Sequence, residues 1–299
     1  MDEATFLRAL RALPLHPGAA DLGDDVAVLD GLIVTADTLV EGVHFLATDP
    51  PGDVAWKLLA VNLSDLAAKG AVPEAVMLSY PLDDGGWDAA FLAGLAEALR
   101  HFSCPLLGGD TISLPPGAPR VLGITAFGRP APGILPRRSG ALAGDALWVT
   151  GTIGDAGAGL AIARGATGPH GLLRRYRLPE PRLAEGRLLA PHASAMMDVS
   201  DGLLIDAARI AEASGLSVTI DLARVPLSAD LRAWGGNALA AATAGDDYEL
   251  LFALAADAAP PVAATRIGSF AVGRGMTLTD AGMPVAAPPV LGWQHGGLR

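Results

Sequence analysis

Several aspartates in this sequence stand where surface carboxylates seldom stand. Asp24 and Asp25 follow Gly23 and lead into an apolar run, and Asp37 ends the run Leu32-Ile33-Val34-Thr35-Ala36. Asp65 sits inside Leu63-Ser64-Asp65-Leu66-Ala67, and Asp110 follows Pro105-Leu106-Leu107-Gly108-Gly109. Asp198 and Asp201 bracket Val199-Ser200 after the pair Met196-Met197. Taken singly, each reads equally well as a turn or cap residue. Taken together, strand-end carboxylates point to a cleft at a sheet edge. Carboxylates crowded into one cleft repel and raise each other's pKa unless cations neutralise them. Oxygen ligands without histidine or cysteine companions favour magnesium over zinc, and magnesium shares itself between carboxylates and substrate phosphates. Metal-assisted phosphate chemistry is the expectation.

Elements must hold those carboxylates in place. Val26–Leu29 and Leu32–Ala36 read as strands around Asp30-Gly31, a strong hairpin signal. Residues 53–70 read as a helix with Asp53 as N-cap and Gly70 as its stop; on it Asn62, Asp65 and Lys69 share one face. Residues 74–80 read as a strand, 87–102 as a helix and 120–128 as a strand. The Pro- and Gly-rich stretch 129–140 reads as a linker. Beyond it, strands are expected at 146–150, 217–221, 248–254, 266–273 and 276–278, with helices at 201–214 and 237–244. Ser200-Asp201-Gly202 opens a helix, so backbone N–H groups there could meet an anion, or serve an ordinary cap. The turn 151–159 lacks a complete dinucleotide-binding glycine pattern and reads as tight packing. Mixed order with hairpins suggests α+β domains rather than one doubly wound parallel sheet.

Composition narrows the partners. The chain has 299 residues, 21 basic against 32 acidic, for a net charge of −11. That balance argues against nucleic acid as the main partner. Lys57 and Lys69 are its lysines, and neither lies in a P-loop motif. The single cysteine, Cys104, rules out an internal disulfide and reads as a small buried residue. No apolar run approaches a membrane span, and Met1–Leu13 does not resemble a signal peptide, so a cytoplasmic protein is expected.

The motifs resemble those of the thiamine-monophosphate kinases, in the superfamily of aminoimidazole ribonucleotide synthetase and selenophosphate synthetase. The matching stretches are Gly23-Asp24-Asp25, 35–45 (TADTLVEGVHF), 60–68 (AVNLSDLAA), Gly108-Gly109-Asp110-Thr111, Arg138-Ser139-Gly140, 149–155 (VTGTIGD), 198–203 (DVSDGL) and 245–250 (GDDYEL). They run in order along nearly the whole chain. The resemblance implies transfer of a phosphoryl group from ATP to thiamine monophosphate, giving thiamine diphosphate. It implies a two-domain α+β subunit. Residues 1–136 would bind ATP and magnesium and form a homodimer through a mixed sheet. Residues 137–299 would complete the site as an α/β sandwich. It implies magnesium ligation by Asp25, Asp37, Asp65, Asp110, Asp198 and Asp201, with oxygens from Thr35 and Ala36. Gly109, Asp110, Arg138 and Ser200 would touch ATP, with Asp65, Asp110 and Arg138 as the catalytic set. His44 and Asp246 would contact thiamine phosphate.

Two departures bear on the pocket. The family pattern has glutamate at Asp246, and an aromatic at Gly296; Trp293 lies three residues earlier and is the candidate cover for the thiamine rings, or else packs the C-terminal segment. The alternatives are another ATP-dependent activating enzyme of the superfamily, or an inactive thiamine-phosphate or metal-binding module. The first lacks support here, since no reactive cysteine lies near the N-terminus and the His44 motif is present.

Overall fold

The computed structural model describes residues 3–131, 133 and 135–294. In its first half a helix, α1 (Glu3–Leu10), precedes the hairpin β1 (Ala27–Leu29) and β2 (Leu32–Val40). Leu29 pairs with Leu32, and Asp30 and Gly31 both take positive φ, +49° and +81°, as a tight two-residue hairpin turn needs. Then follow α2 (Pro51–Ala67), β3 (Val72–Leu82), α3 (Gly85–His101), β4 (Leu106–Ser113) and β5 (Val121–Arg129). The strands form one sheet in the order β1-β2-β5-β3-β4, antiparallel except for β3 beside β4. Leu122, Ile124 and Ala126 alternate inward along β5, toward a core shared with α2 and α3.

Beyond the linker come β6 (Ala146–Thr150), α4 (Asp155–Ala163), α5 (His170–Arg177), α6 (Leu183–Leu189), β7 (Ala195–Asp198) and α7 (Leu203–Ala213). The chain continues with β8 (Leu216–Asp221), α8 (Ala229–Trp234), α9 (Ala238–Thr243), β9 (Leu250–Leu254), β10 (Ala264–Val272), β11 (Gly275–Asp280) and β12 (Met283–Val285). These strands make a second mixed sheet, ordered β12-β11-β8-β10-β6-β9-β7. Two mixed sheets with separate cores bear out the α+β expectation.

Helix α2 is the spine between the halves. It is apolar nearly all round, with Val54, Leu58, Leu59, Leu63 and Leu66 all buried, as befits a helix enclosed by protein. One side lies on β2 and β5, and another meets α6 and β7. Its start differs from expectation. Pro50 is the N-cap and Pro51 the first helical residue, so Asp53 lies in the first turn and does not cap. Its end agrees: Gly70 takes φ +61° just past the helix. A third core at the junction joins Ala67 and Ala68 to Leu189, Met196, Leu250 and Phe252.

Candidate active site

Three carboxylates converge where α2, β7 and the approach to β1 meet. Ligand atoms of Asp25, Asp65 and Asp198 all lie within 4.8 Å of one another. Each is held by a hydroxyl or cation. The Thr35 hydroxyl donates to Asp65 at 2.5 Å and to the Asp25 carbonyl at 3.2 Å. Ser64 donates to Asp198 at 2.5 Å, linking α2 to the end of β7. Asp25 pairs with Lys69 at 2.7 Å through Oδ2 and with Arg138 through Oδ1.

These surroundings split the acidities. Burial pushes Asp25 up, but Lys69 and then Arg138 overcome it and hold the carboxyl at about 2. Asp198 is pushed up to about 8 by burial first and the Asp25 charge second. Asp65 rises well above the usual range through burial, then Asp37 and Asp198. Lys69, buried yet bonded to Asp24 at 2.5 Å and to the Met196 carbonyl at 3.1 Å, has its ammonium stabilised by Asp25 and Asp24 against the burial that opposes it.

The donors fit a hard divalent cation. They are carboxylate oxygens throughout, and Asp25 Oδ2 is buried against the Lys69 ammonium at 2.7 Å, a place where positive charge is already favoured. Arg138 Nε is buried without an acceptor, a donor suited to a phosphate oxygen.

Other expected ligands sit around this triangle in different ways. Asp37 is close enough to raise both Asp65 and Asp198, and its N–H is fixed by Asn62 Oδ1 at 2.9 Å. It lies within β2 and does not end it, as Asp110 lies within β4. Thr35 and Asp37 point to the buried face, while Ala36 between them faces outward, leaving its backbone oxygen as the available donor. Asp110 is set apart. It shares a row with Thr38, Gly123 and Ser79, three strands from β2 and roughly 14 Å across the sheet, beside Gly109 on the exposed β4. Within one chain it does not join the triangle.

The helix start at Ser200-Asp201-Gly202 does meet an anion, but an internal one. All three N–H groups donate to Asp206 Oδ2 at 3.2 Å, so these backbone donors are spent within the chain. Asp206 is pushed up to about 7, chiefly by burial, against the opposing pull of Arg209. Asp201 turns to Arg209 at 2.6 Å.

The acids of the 245–250 motif divide their labour. Asp247 accepts from the Gly154 N–H at 2.8 Å, which pins the turn before α4. Glu249 is buried beneath Arg175 and Arg182 and accepts from Thr150 at 2.7 Å. Asp246 turns toward α2 and pairs with Lys57 at 2.7 Å, while its N–H holds the Ser200 carbonyl at 2.8 Å. Lys57 also holds the His44 carbonyl at 3.1 Å, so His44 and Asp246 are neighbours through it. Trp293 donates its backbone N–H to the Asp201 carbonyl at 2.8 Å, and the residue is 42% exposed. Gly296 lies outside the described residues.

Sequence reading missed Lys57, Lys69 and Asp206 as site residues. A signal existed: both lysines of an arginine-dominated chain fall on one long, largely apolar helix or just past its end.

Known proteins resemble this chain in sequence and in fold. The family model described as AIR synthase related protein, N-terminal domain, matches residues 23–129, and that of the C-terminal domain matches residues 143–279. The thiamine-monophosphate kinase of Caulobacter vibrioides is 42% identical over 97% of this chain and 89% of its own. A structure of AaThiL complexed with AMPPCP and TMP superposes with a TM-score of 0.87 at 28% identity, covering 98% of this chain and 97% of that one. The thiamine-monophosphate kinase of Stenotrophomonas maltophilia is 36% identical with a TM-score of 0.76, covering 94% of this chain and 96% of that one.

Proposed function

Because the chain belongs to the AIR synthase related family, among its thiamine-monophosphate kinases, we propose that its cleft phosphorylates thiamine monophosphate with ATP. The terminal P–O bond of ATP breaks, a new P–O bond forms to the acceptor phosphate, and ADP and thiamine diphosphate leave. The observation that carries this reading is the convergence of Asp25, Asp65 and Asp198, drawn from both halves of the chain, beside Arg138.

We assign magnesium to Asp25, Asp65 and Asp198, with Asp37, Asp201 and the Thr35 and Ala36 oxygens as further ligands; Asp110, set apart from the triangle within one chain, would join it as a ligand only from the second subunit of a homodimer. Bound there, magnesium would neutralise charge on the ATP phosphates. Arg138 turns its free N–H to ATP, and Gly109 and Ser200 line the nucleotide. His44, Asp246 and Trp293 face thiamine phosphate. The acceptor is already ionised at neutral pH, so no general base is required, and catalysis is positioning and charge neutralisation. Transfer is direct, without a phosphoenzyme.

We place the working division of the chain at residues 136 and 137, and the enzyme in the cytoplasm as a homodimer. Among the described residues no helix is long and apolar enough to cross a membrane. Cys104 is buried and its thiol is pushed up to about 11 by that burial, so it stays out of the chemistry.

The test is ADP release with magnesium, ATP and either acceptor. Thiamine monophosphate should turn over and free thiamine should not, since a hydroxyl acceptor must give up its proton to a base whereas the acceptor phosphate is already ionised. No turnover of thiamine monophosphate would end the reading, and equal turnover of thiamine would end the mechanism.

A further inference from the structure

We propose that Lys57 is a positioning residue for the acceptor pocket, acting through Asp246; this rests on the assignment of Asp246 and His44 to thiamine phosphate. Lys57 lies on α2 and is 2% exposed. Its ammonium reaches Asp246 Oδ2 at 2.7 Å and the His44 carbonyl at 3.1 Å, and stands 4.1 Å over the Tyr176 ring. An ammonium has three N–H donors, and a carboxylate, a carbonyl and a ring face use them. Lys57 is therefore not left to bind a phosphate itself. A buried ammonium is strongly unfavourable unless paired, so the three partners are held to it as firmly as it is to them.

Those partners come from three separate segments. His44 lies in the turn after β2, Asp246 in the turn before β9, and Tyr176 on α5. The Tyr176 hydroxyl goes on to Asp49 at 2.9 Å, and Asp49 accepts from the Leu46 N–H at 2.8 Å, so the 44–49 loop is tied at both ends. Asp246 needs such support. It takes φ +69°, a left-handed conformation uncommon for a residue with a side chain, and Tyr248 two residues on takes φ +51°. The Asp246 side chain keeps 29% of its surface open, and its second oxygen accepts from the Tyr248 hydroxyl at 3.1 Å. The carboxylate is thus aimed from behind and presented from the front. A tripod of carboxylate, carbonyl and ring face suits a compact ammonium better than the planar fork of arginine. That accounts for a lysine at this place in a chain whose basic residues, Lys69 apart, are otherwise arginines.

Lys57→Met keeps the length and removes the charge. Its KM for thiamine monophosphate should rise roughly 10- to 100-fold, the effect of leaving one partner of a buried charge pair alone, with KM for ATP within about twofold of wild type. Asp246→Asn is measured beside it, together with the double variant, whose neutral pair guards against a Lys57→Met chain that does not fold. The double variant should be no worse than Asp246→Asn alone. If Asp246→Asn leaves KM for thiamine monophosphate unchanged, the pocket assignment itself fails. If Asp246→Asn raises it while Lys57→Met does not, the pocket stands and the role of Lys57 is overturned. A double variant clearly worse than Asp246→Asn overturns it too, because Lys57 would then act by another route.

Discussion

Asp25 and Asp198 touch the same small space yet differ widely in acidity, about 2 against about 8. The difference is which of them has cations: Lys69 and Arg138 both serve Asp25. The metal-free fold therefore keeps protons on Asp198 and Asp65 that the unfolded chain has released. With more protons bound in the folded state, stability falls as pH rises, by about 1.4 kcal/mol per pH unit for each retained proton. For Asp198 the window runs from its unfolded value, about 4, to its folded value, about 8. The melting temperature in chelator should drop between pH 5 and pH 8, and saturating magnesium should flatten the slope. Asp65→Asn should shallow the slope in chelator and abolish turnover. A metal-free protein equally stable across that range would refute the crowding. At this scale the sequence disclosed the acids through their apolar neighbours. It hid their cations, since a lone lysine in an apolar helix looks like an outlier of composition until Asp24, Asp25 and Asp246 are seen around the two ammoniums.

Elements with a strong period or a decisive turn were legible: the β1–β2 hairpin, α2, α3 and β6 lie where their patterns put them, within a few residues. Helices α5 and α6 were not. Arginine is ordinarily a surface residue, but here Arg177 pairs with buried Asp49, and Arg175 and Arg182 with buried Glu249, so charges that look external are internal. Strands β2 and β4 were cut short at Asp37 and Asp110 because aspartate is disfavoured in strands. Asn62 secures one, and the other lies on an exposed edge. The packing of α6 on α2 depends on a glycine. A Cβ on Gly186 would stand 2.0 Å from the Ala67 carbonyl oxygen, which is backbone and cannot swing aside. Alanine in a helix interior ordinarily gains about 1 kcal/mol over glycine. Here overpacking should outweigh it, for a net loss of roughly 1–3 kcal/mol in Gly186→Ala. Urea unfolding would show a lower midpoint, and an unchanged or higher midpoint would mean that α6 can slide on α2. Ala67 is two residues from Asp65, so turnover should fall as well.

At the scale of the whole molecule, the two sheets end differently. The β7 edge of the second sheet is buried at all four residues, covered by its own chain. The β4 edge of the first is open, with Leu106, Leu107 and Ile112 exposed, and Met77 and Leu82 of β3 and Val121 of β5 exposed nearby. A strand edge with unpaired backbone groups and apolar side chains invites another strand or sheet, and monomers normally blunt it with charge or proline. In β4 the only charged residue is Asp110. An acidic chain, at −11 overall, that leaves this one face apolar is suited to covering it with a second copy of the same face. This is the physical ground for the proposed homodimer through the N-terminal sheet. Leu107, 67% exposed, is the most open of these side chains. Leu107→Asp puts a charge on that face without disturbing a buried core, so the subunit should still fold. Sedimentation should give a dimer for the wild type and a monomer for the variant. Dimer coupling also makes wild-type melting rise with protein concentration, by mass action, and the variant should lose that dependence. A wild type that sediments as a monomer and melts at one temperature over a hundredfold range of concentration would leave the open edge of β4 without the partner assigned to it.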